Sequence, residues 1–170
     1  DVCSSDLNMV SNSSFTTNTA GYTATSGSTI TRVTSDYNSS PASLQVTATS
    51  GIRGVSLATN LESNRRYKVS FYVKGVSATG NVYITQNTGS TAITDSTFPV
   101  TTTWTKREFY YTPGVDVTAI AFKADSTNIF IDDVVIQNTG IEYIIDTELP
   151  ILKEICFHKD RLFGVVMADK

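Results

Sequence analysis

Charge and histidine are what this chain has least of. Only 17% of its 170 residues are Asp, Glu, Lys or Arg, against about a quarter in an average globular protein. The 13 basic residues are scattered and outweighed by 16 acidic ones, for a net charge of −3. Nucleic-acid recognition needs a concentration of positive charge that this chain does not have. A single histidine, His158, excludes a zinc site built on several imidazoles and confines Ser–His–Asp or Cys–His chemistry to one position. Two cysteines exclude a disulfide-dense scaffold. No apolar run is long enough to cross a bilayer, so membrane insertion is not expected. No signal-peptide pattern opens the chain, which leaves a mature, a cytoplasmic or an excised polypeptide as readings.

The cysteines leave two alternatives. Cys3 and Cys156 lie near opposite ends, as free buried thiols or as one bridge that requires the ends to meet. Cys156 and His158 would share one face of a strand, but two ligands do not make a structural zinc site, and core packing is the better reading. Asn12-Ser13-Ser14 and Asn38-Ser39-Ser40 fit the glycosylation pattern, a match that chance supplies readily in so serine-rich a chain.

Polarity comes instead from Ser and Thr, about a quarter of all residues, with Asn added. These residues favour strands and turns over helices. No window sustains a 3.6-residue apolar period, whereas short alternating runs abound. The clearest is Tyr67–Lys74, with Tyr67, Val69, Phe71 and Val73 on one face and Lys68, Ser70, Tyr72 and Lys74 on the other. Further strands are expected at 28–34, 42–49, 54–59, 81–85, 104–112, 117–123 and 129–137, with turns at Asn87–Ser90 and Pro113-Gly114. Many short strands with frequent turn signals predict an all-β sandwich or barrel. After Gly140 the composition shifts to Ile, Leu, Val, Glu, Asp and Lys. Residues 153–167 read as a β-hairpin turning at Lys159-Asp160, which is marginal alone and needs something to pack on. The expected division is a sandwich over 1–139, then a linker and hairpin over 140–170 that begin a further region.

Catalytic signals are missing. Glu62, Glu108, Asp132 and Asp133 supply carboxylates, but nothing sets a pair at glycosidase spacing. No nucleophile elbow surrounds a serine, and no glycine-rich phosphate loop is present. The chain is expected not to be an enzyme.

Several ordered landmarks carry a resemblance. Asn8-Met9-Val10-Ser11-Asn12-Ser13-Ser14-Phe15 is similar to an N-L-x-x-N-x-S-F-E opening. Ser43-Leu44-Gln45-Val46, then Tyr67-Lys68-Val69-Ser70-Phe71-Tyr72-Val73-Lys74, then Trp104-Thr105 and Ile131-Asp132-Asp133-Val134 follow in the same order. The set resembles carbohydrate-binding modules of the family 4, 9 and 22 type, with a galactose-binding-domain-like fold. The resemblance implies a jelly-roll β-sandwich of two antiparallel sheets, here extended by the C-terminal β-hairpin, that binds a glycan or polysaccharide without catalysis. It also implies a buried Trp104. In the family, the opening segment and the closing aspartates often share a structural calcium, so Asp132 or Asp133 with backbone carbonyls near Asn12 and Thr16 are candidate ligands. The family's Glu is Thr16 here, which removes one carboxylate from a cation that takes six to eight oxygens. The alternative is that Asp132 caps backbone amides or faces water.

Sugar recognition combines aromatic faces with planar polar groups. On the strand alternation, Tyr72, Tyr83 and Tyr110 point away from the core, with Lys74 and Glu108 beside them. They form a concave platform if their strands are neighbours; otherwise they cover the second face without a ligand. Tyr22, Tyr37 and Arg53 offer a rim site or ordinary loop packing. The segment Glu154–Gly164 resembles part of bacteriophage tail and structural proteins. That implies an adhesion module in an extracellular or virion protein, with other assembly subunits as partners. The competing reading is a structural or decoration domain with no sugar ligand.

Overall fold

A computed structural model describes residues 7–39, 41–48, 53–87, 89–125, 127–140, 152–158 and 161–166, and all its elements are strands. They are β1 (Tyr22–Ala24), β2 (Ser28–Val33), β3 (Ser43–Ala48), β4 (Arg53–Leu61), β5 (Arg66–Gly75), β6 (Gly80–Gln86), β7 (Ala92–Val100), β8 (Thr105–Tyr111), β9 (Val117–Ala124) and β10 (Ile129–Gly140), followed by β11 (Leu152–His158) and β12 (Arg161–Val166). The first ten form two five-stranded sheets. Sheet A has the order β1-β4-β9-β6-β7, and sheet B the order β2-β3-β10-β5-β8, with every pairing antiparallel. The expected two-sheet sandwich is therefore present. The last two strands pair as a hairpin sheet of their own, as the sequence predicts.

Alternation builds the core. On β5, Tyr67, Val69, Phe71 and Val73 are buried, facing Val82, Ile84, Ile120 and Phe122 of sheet A in one cluster. Phe71 meets Phe122 edge-on at 5.0 Å between ring centroids, the arrangement aromatic quadrupoles favour. Truncating Phe71 to Ala would cost about 3–5 kcal/mol. Gly75 ends β5 where a Cβ would collide with the Ala78 carbonyl.

β10 crosses the centre of sheet B and changes partners along its length. Its first residues pair with β3 (Ile131↔Leu44). A bulge follows between Asp132 and Val135, with Asp133 at φ 49°. Beyond it the N-terminal segment replaces β3: Met9 N–H donates to the Ile136 carbonyl (2.8 Å), and Val134 N–H donates to that of Ser13 (3.2 Å). Asn8 fixes this seam, its Nδ2 donating to the Val134 carbonyl and its Oδ1 accepting from Ile136 N–H.

The placement of Trp104 differs from expectation, and that of Tyr22 decides between two open readings. Trp104 is half-buried on the outer side of sheet B, outside the core between the sheets, with its ring 6.2 Å from that of Phe130. Its indole N–H donates to Asp36 (3.0 Å), a polar tie that the core would not supply. Tyr22 lies in β1 with its ring buried against Phe15, 4.8 Å away, so it does not belong to a rim. Cys3 and the side chains of Arg53, Cys156 and His158 lie outside the described residues, and the disulfide question lies there with them.

Candidate functional site

Four of the expected ligand-binding side chains share the outer face of sheet B. The β5–β8 register sets Lys68 opposite Tyr110, Ser70 opposite Glu108 and Tyr72 opposite Lys106, with Lys74 farther along β5. Tyr83 does not join them. β6 follows β5 in sequence but lies in sheet A, where Tyr83 stands between Thr97 and Lys123. The single platform of three tyrosines does not form, because alternation tells inside from outside but not which sheet a strand enters.

The charges on this face are already partnered. Glu108 sits 3.2 Å from Lys68 and 3.9 Å from Lys106. Lys74 bonds Asp36 at 2.5 Å, and Asp36 also accepts from Trp104. These pairs are partly exposed and individually weak, yet they leave Lys74 and Glu108 less available to a ligand.

A cleft of about 720 Å³ opens where the β6–β7 connection meets the end of β8. Gln86, Asn87, Ser90, Thr94, Tyr110 and Thr112 line it, and none of its described lining residues is charged. Tyr110 is 50% exposed, and the Arg66 guanidinium lies 4.5 Å from its ring centroid. This cation–π contact holds the ring's orientation.

The cleft wall is fixed by its own backbone. Asn87 adopts φ 51°, a left-handed turn that asparagine tolerates, and its N–H donates to the Ala119 carbonyl. Gly89 N–H donates to Gln86, and the Gly89 carbonyl accepts from Lys123 Nζ (2.5 Å). Tyr111 donates to the Gln86 side chain at 2.6 Å. Opposite, β7 bends at Asp95 (φ 57°), and buried Ser96 donates to the Ile84 and Ile93 carbonyls. Of the residues expected to bind a ligand, only Tyr110 reaches this cleft. Asn87 and Ser90 lay within a predicted turn, and nothing in the strand pattern marked Thr94 or Thr112.

The candidate cation ligands are arranged otherwise. Asp132 is fully buried, and one carboxylate oxygen accepts backbone N–H bonds from Asn38 (2.9 Å) and Ser39 (3.0 Å). The other oxygen accepts from Asp133 N–H (2.8 Å). Burial pushes its pKa up from 3.8 to about 6, against the lowering effect of those donors. Asp133 accepts from the Asn38 amide and the Ser39 hydroxyl. Asn12 turns its Nδ2 toward the Asn18 and Ala20 carbonyls. The Thr16 and Phe15 carbonyls accept from Arg32, at 2.7 Å and 2.6 Å. Among the described residues, no three His, Cys, Asp or Glu side chains gather. Calcium needs free oxygens converging on one point. Here most of the donors are spent on the protein itself and a guanidinium covers two of them, so as folded they do not fit the ion. Asp132 acts instead as a cap for backbone amides.

Residues 7–128 match the family model for Carbohydrate binding domain, CBM_4_9. The chain belongs to this family. No curated protein matches the carbohydrate-binding domain significantly in sequence. Solved structures do. The CBM22-1 xylan-binding domain of Paenibacillus barcinonensis Xyn10C has a TM-score of 0.63 at 22% identity, over 74% of this chain and 90% of that one. The C-terminal family 22 carbohydrate binding module of Clostridium thermocellum Xyn10B scores 0.64 at 15% identity, over 84% and 98%. The enzymatically active domain of Bacteriophage CBA120 tailspike protein 4 scores 0.53 at 22% identity, over 77% of this chain but 21% of that one. At these identities the likenesses establish the shared fold of the carbohydrate-binding domain.

Proposed function

We propose that this carbohydrate-binding domain holds a neutral glycan, without catalysis, in the cleft beside Tyr110, as a module of a larger extracellular or virion protein. One observation carries the reading: an exposed aromatic ring stands beside uncharged amide and hydroxyl groups in a cleft large enough for more than one sugar ring. The apolar face of a pyranose would stack on Tyr110, while Gln86, Asn87, Ser90 and Thr94 exchange hydrogen bonds with its hydroxyls. The Arg66 guanidinium over the ring keeps it in place, which lowers the entropic cost of binding. Each sugar hydroxyl gives up water to pair, so affinity per site is modest, and repetition in an assembly would add avidity. The family membership and the xylan-binding neighbour support a polysaccharide ligand, and the tailspike neighbour supports a virion setting.

A glycan array followed by calorimetry, with xylo-oligosaccharides as the first probe, tests this. Saturable binding that Tyr110→Ala weakens about thirtyfold and Tyr83→Ala leaves intact is the expected result. Binding indifferent to Tyr110→Ala would move the site elsewhere. Absence of binding to any glycan would favour a purely structural domain.

A further inference from the structure

We infer that Arg32 is a built-in cation for the loop ahead of β1, so that this domain closes its N-terminal segment without calcium. Phe15 is the pivot. Its φ of 52° is strained for a side chain of its size and directs two successive carbonyls, Phe15 and Thr16, toward β2. Its ring is wholly buried against Tyr22, so the turn is anchored from inside. Arg32 secures it from outside. Paired with Leu44 of β3, it reaches Nε to the Phe15 carbonyl and Nη2 to that of Thr16.

Two carbonyls turned to one side form a patch of partial negative charge that a cation satisfies. A guanidinium does this with permanent charge and a planar pair of donors. No described carboxylate forms an ion pair with Arg32, so its charge remains directed at those carbonyls. A divalent ion placed there would meet a like charge. The acids whose charge would oppose that repulsion, Asp132 and Asp133, are committed to the amides and hydroxyl of the β2–β3 connection.

Thermal unfolding of the full chain, in chelator and in millimolar calcium chloride, tests the inference alongside calorimetric titration with calcium. The wild type should keep one Tm in both buffers, within about 1 °C, and show no calcium heat. Arg32→Ala should lower Tm by about 3–6 °C in both. Arg32→Lys, which keeps the charge but offers a single point donor, should lower it less. A wild-type Tm that rises by several degrees in calcium overturns the inference, as does an Arg32→Ala protein as stable as the wild type. Should Arg32→Ala not fold, Arg32→Lys decides: a lowered Tm supports the tie, and an unchanged one overturns it.

Discussion

The outer face of sheet B and the cleft at its edge share one residue, Tyr110, and little else. Across the face, Lys68, Lys106 and Glu108 neutralise one another, Lys74 is held by Asp36, and buried Asp132 lashes the β2–β3 connection down. In the cleft no described lining residue is charged, and the polar groups are amides and hydroxyls of the β6–β7 connection and the strands beside it. The contrast separates two uses of polarity. Charges that satisfy one another inside the chain hold loops in place. Neutral groups that still offer lone pairs and donors to solvent can exchange water for a ligand.

The largest expected effect belongs to the face. Asp132 has a folded pKa of about 6 against an ordinary 3.8, so the folded state holds that proton more tightly than the unfolded chain. Its contribution to stability is full below the ordinary value and is lost as pH rises through about 6, amounting to about 3 kcal/mol. Denaturant unfolding should therefore show stability rising as pH falls from neutral toward 4, and Asp132→Asn should flatten that rise. Next comes the cleft: Tyr110→Ala should weaken glycan binding about thirtyfold, or about 2 kcal/mol, by calorimetry. Smaller again, Glu108→Gln should cost about 0.5 kcal/mol of stability and leave affinity within about twofold, since its partners lie on the face. The smallest effect is that of salt. Raising ionic strength should change affinity by less than about twofold, because no described lining residue of the cleft is charged. A steep salt dependence would erase the distinction between the two surfaces.

The fold was legible wherever alternation is strong. Tyr67–Val73 and Ile129–Ile136 announce their buried faces in their own residues, and the strand ends at Gly75 and before Pro113 follow local chemistry. β7 escaped notice because Ser96 takes a buried position, Pro99 interrupts the run and the bend at Asp95 breaks the period. β1 is three residues long and carries no pattern. The site was less legible for a different reason. Tyr72 and Tyr83 both alternate outward, but their assignment to opposite sheets depends on a crossover that no local window encodes. Trp104 shows the same limit: an aromatic at a strand start reads as core until a carboxylate from a distant loop, Asp36, receives its N–H. The cleft itself arises from two connections meeting in space, and only Tyr110 was marked in advance.

The position of β10 bears on how the molecule is made. The last strand of the sandwich to leave the ribosome is the one inserted at the middle of sheet B, between β3 and β5. Until it arrives, sheet B exists as two separate strand pairs with exposed inner edges. The segment that opens the sandwich also waits for it, since Met9 N–H bonds to the Ile136 carbonyl. Such long-range closure makes folding slow and cooperative. A ribosome-bound chain stalled before Ile129 should be protease-sensitive throughout, and should acquire resistance in one step once the strand is complete.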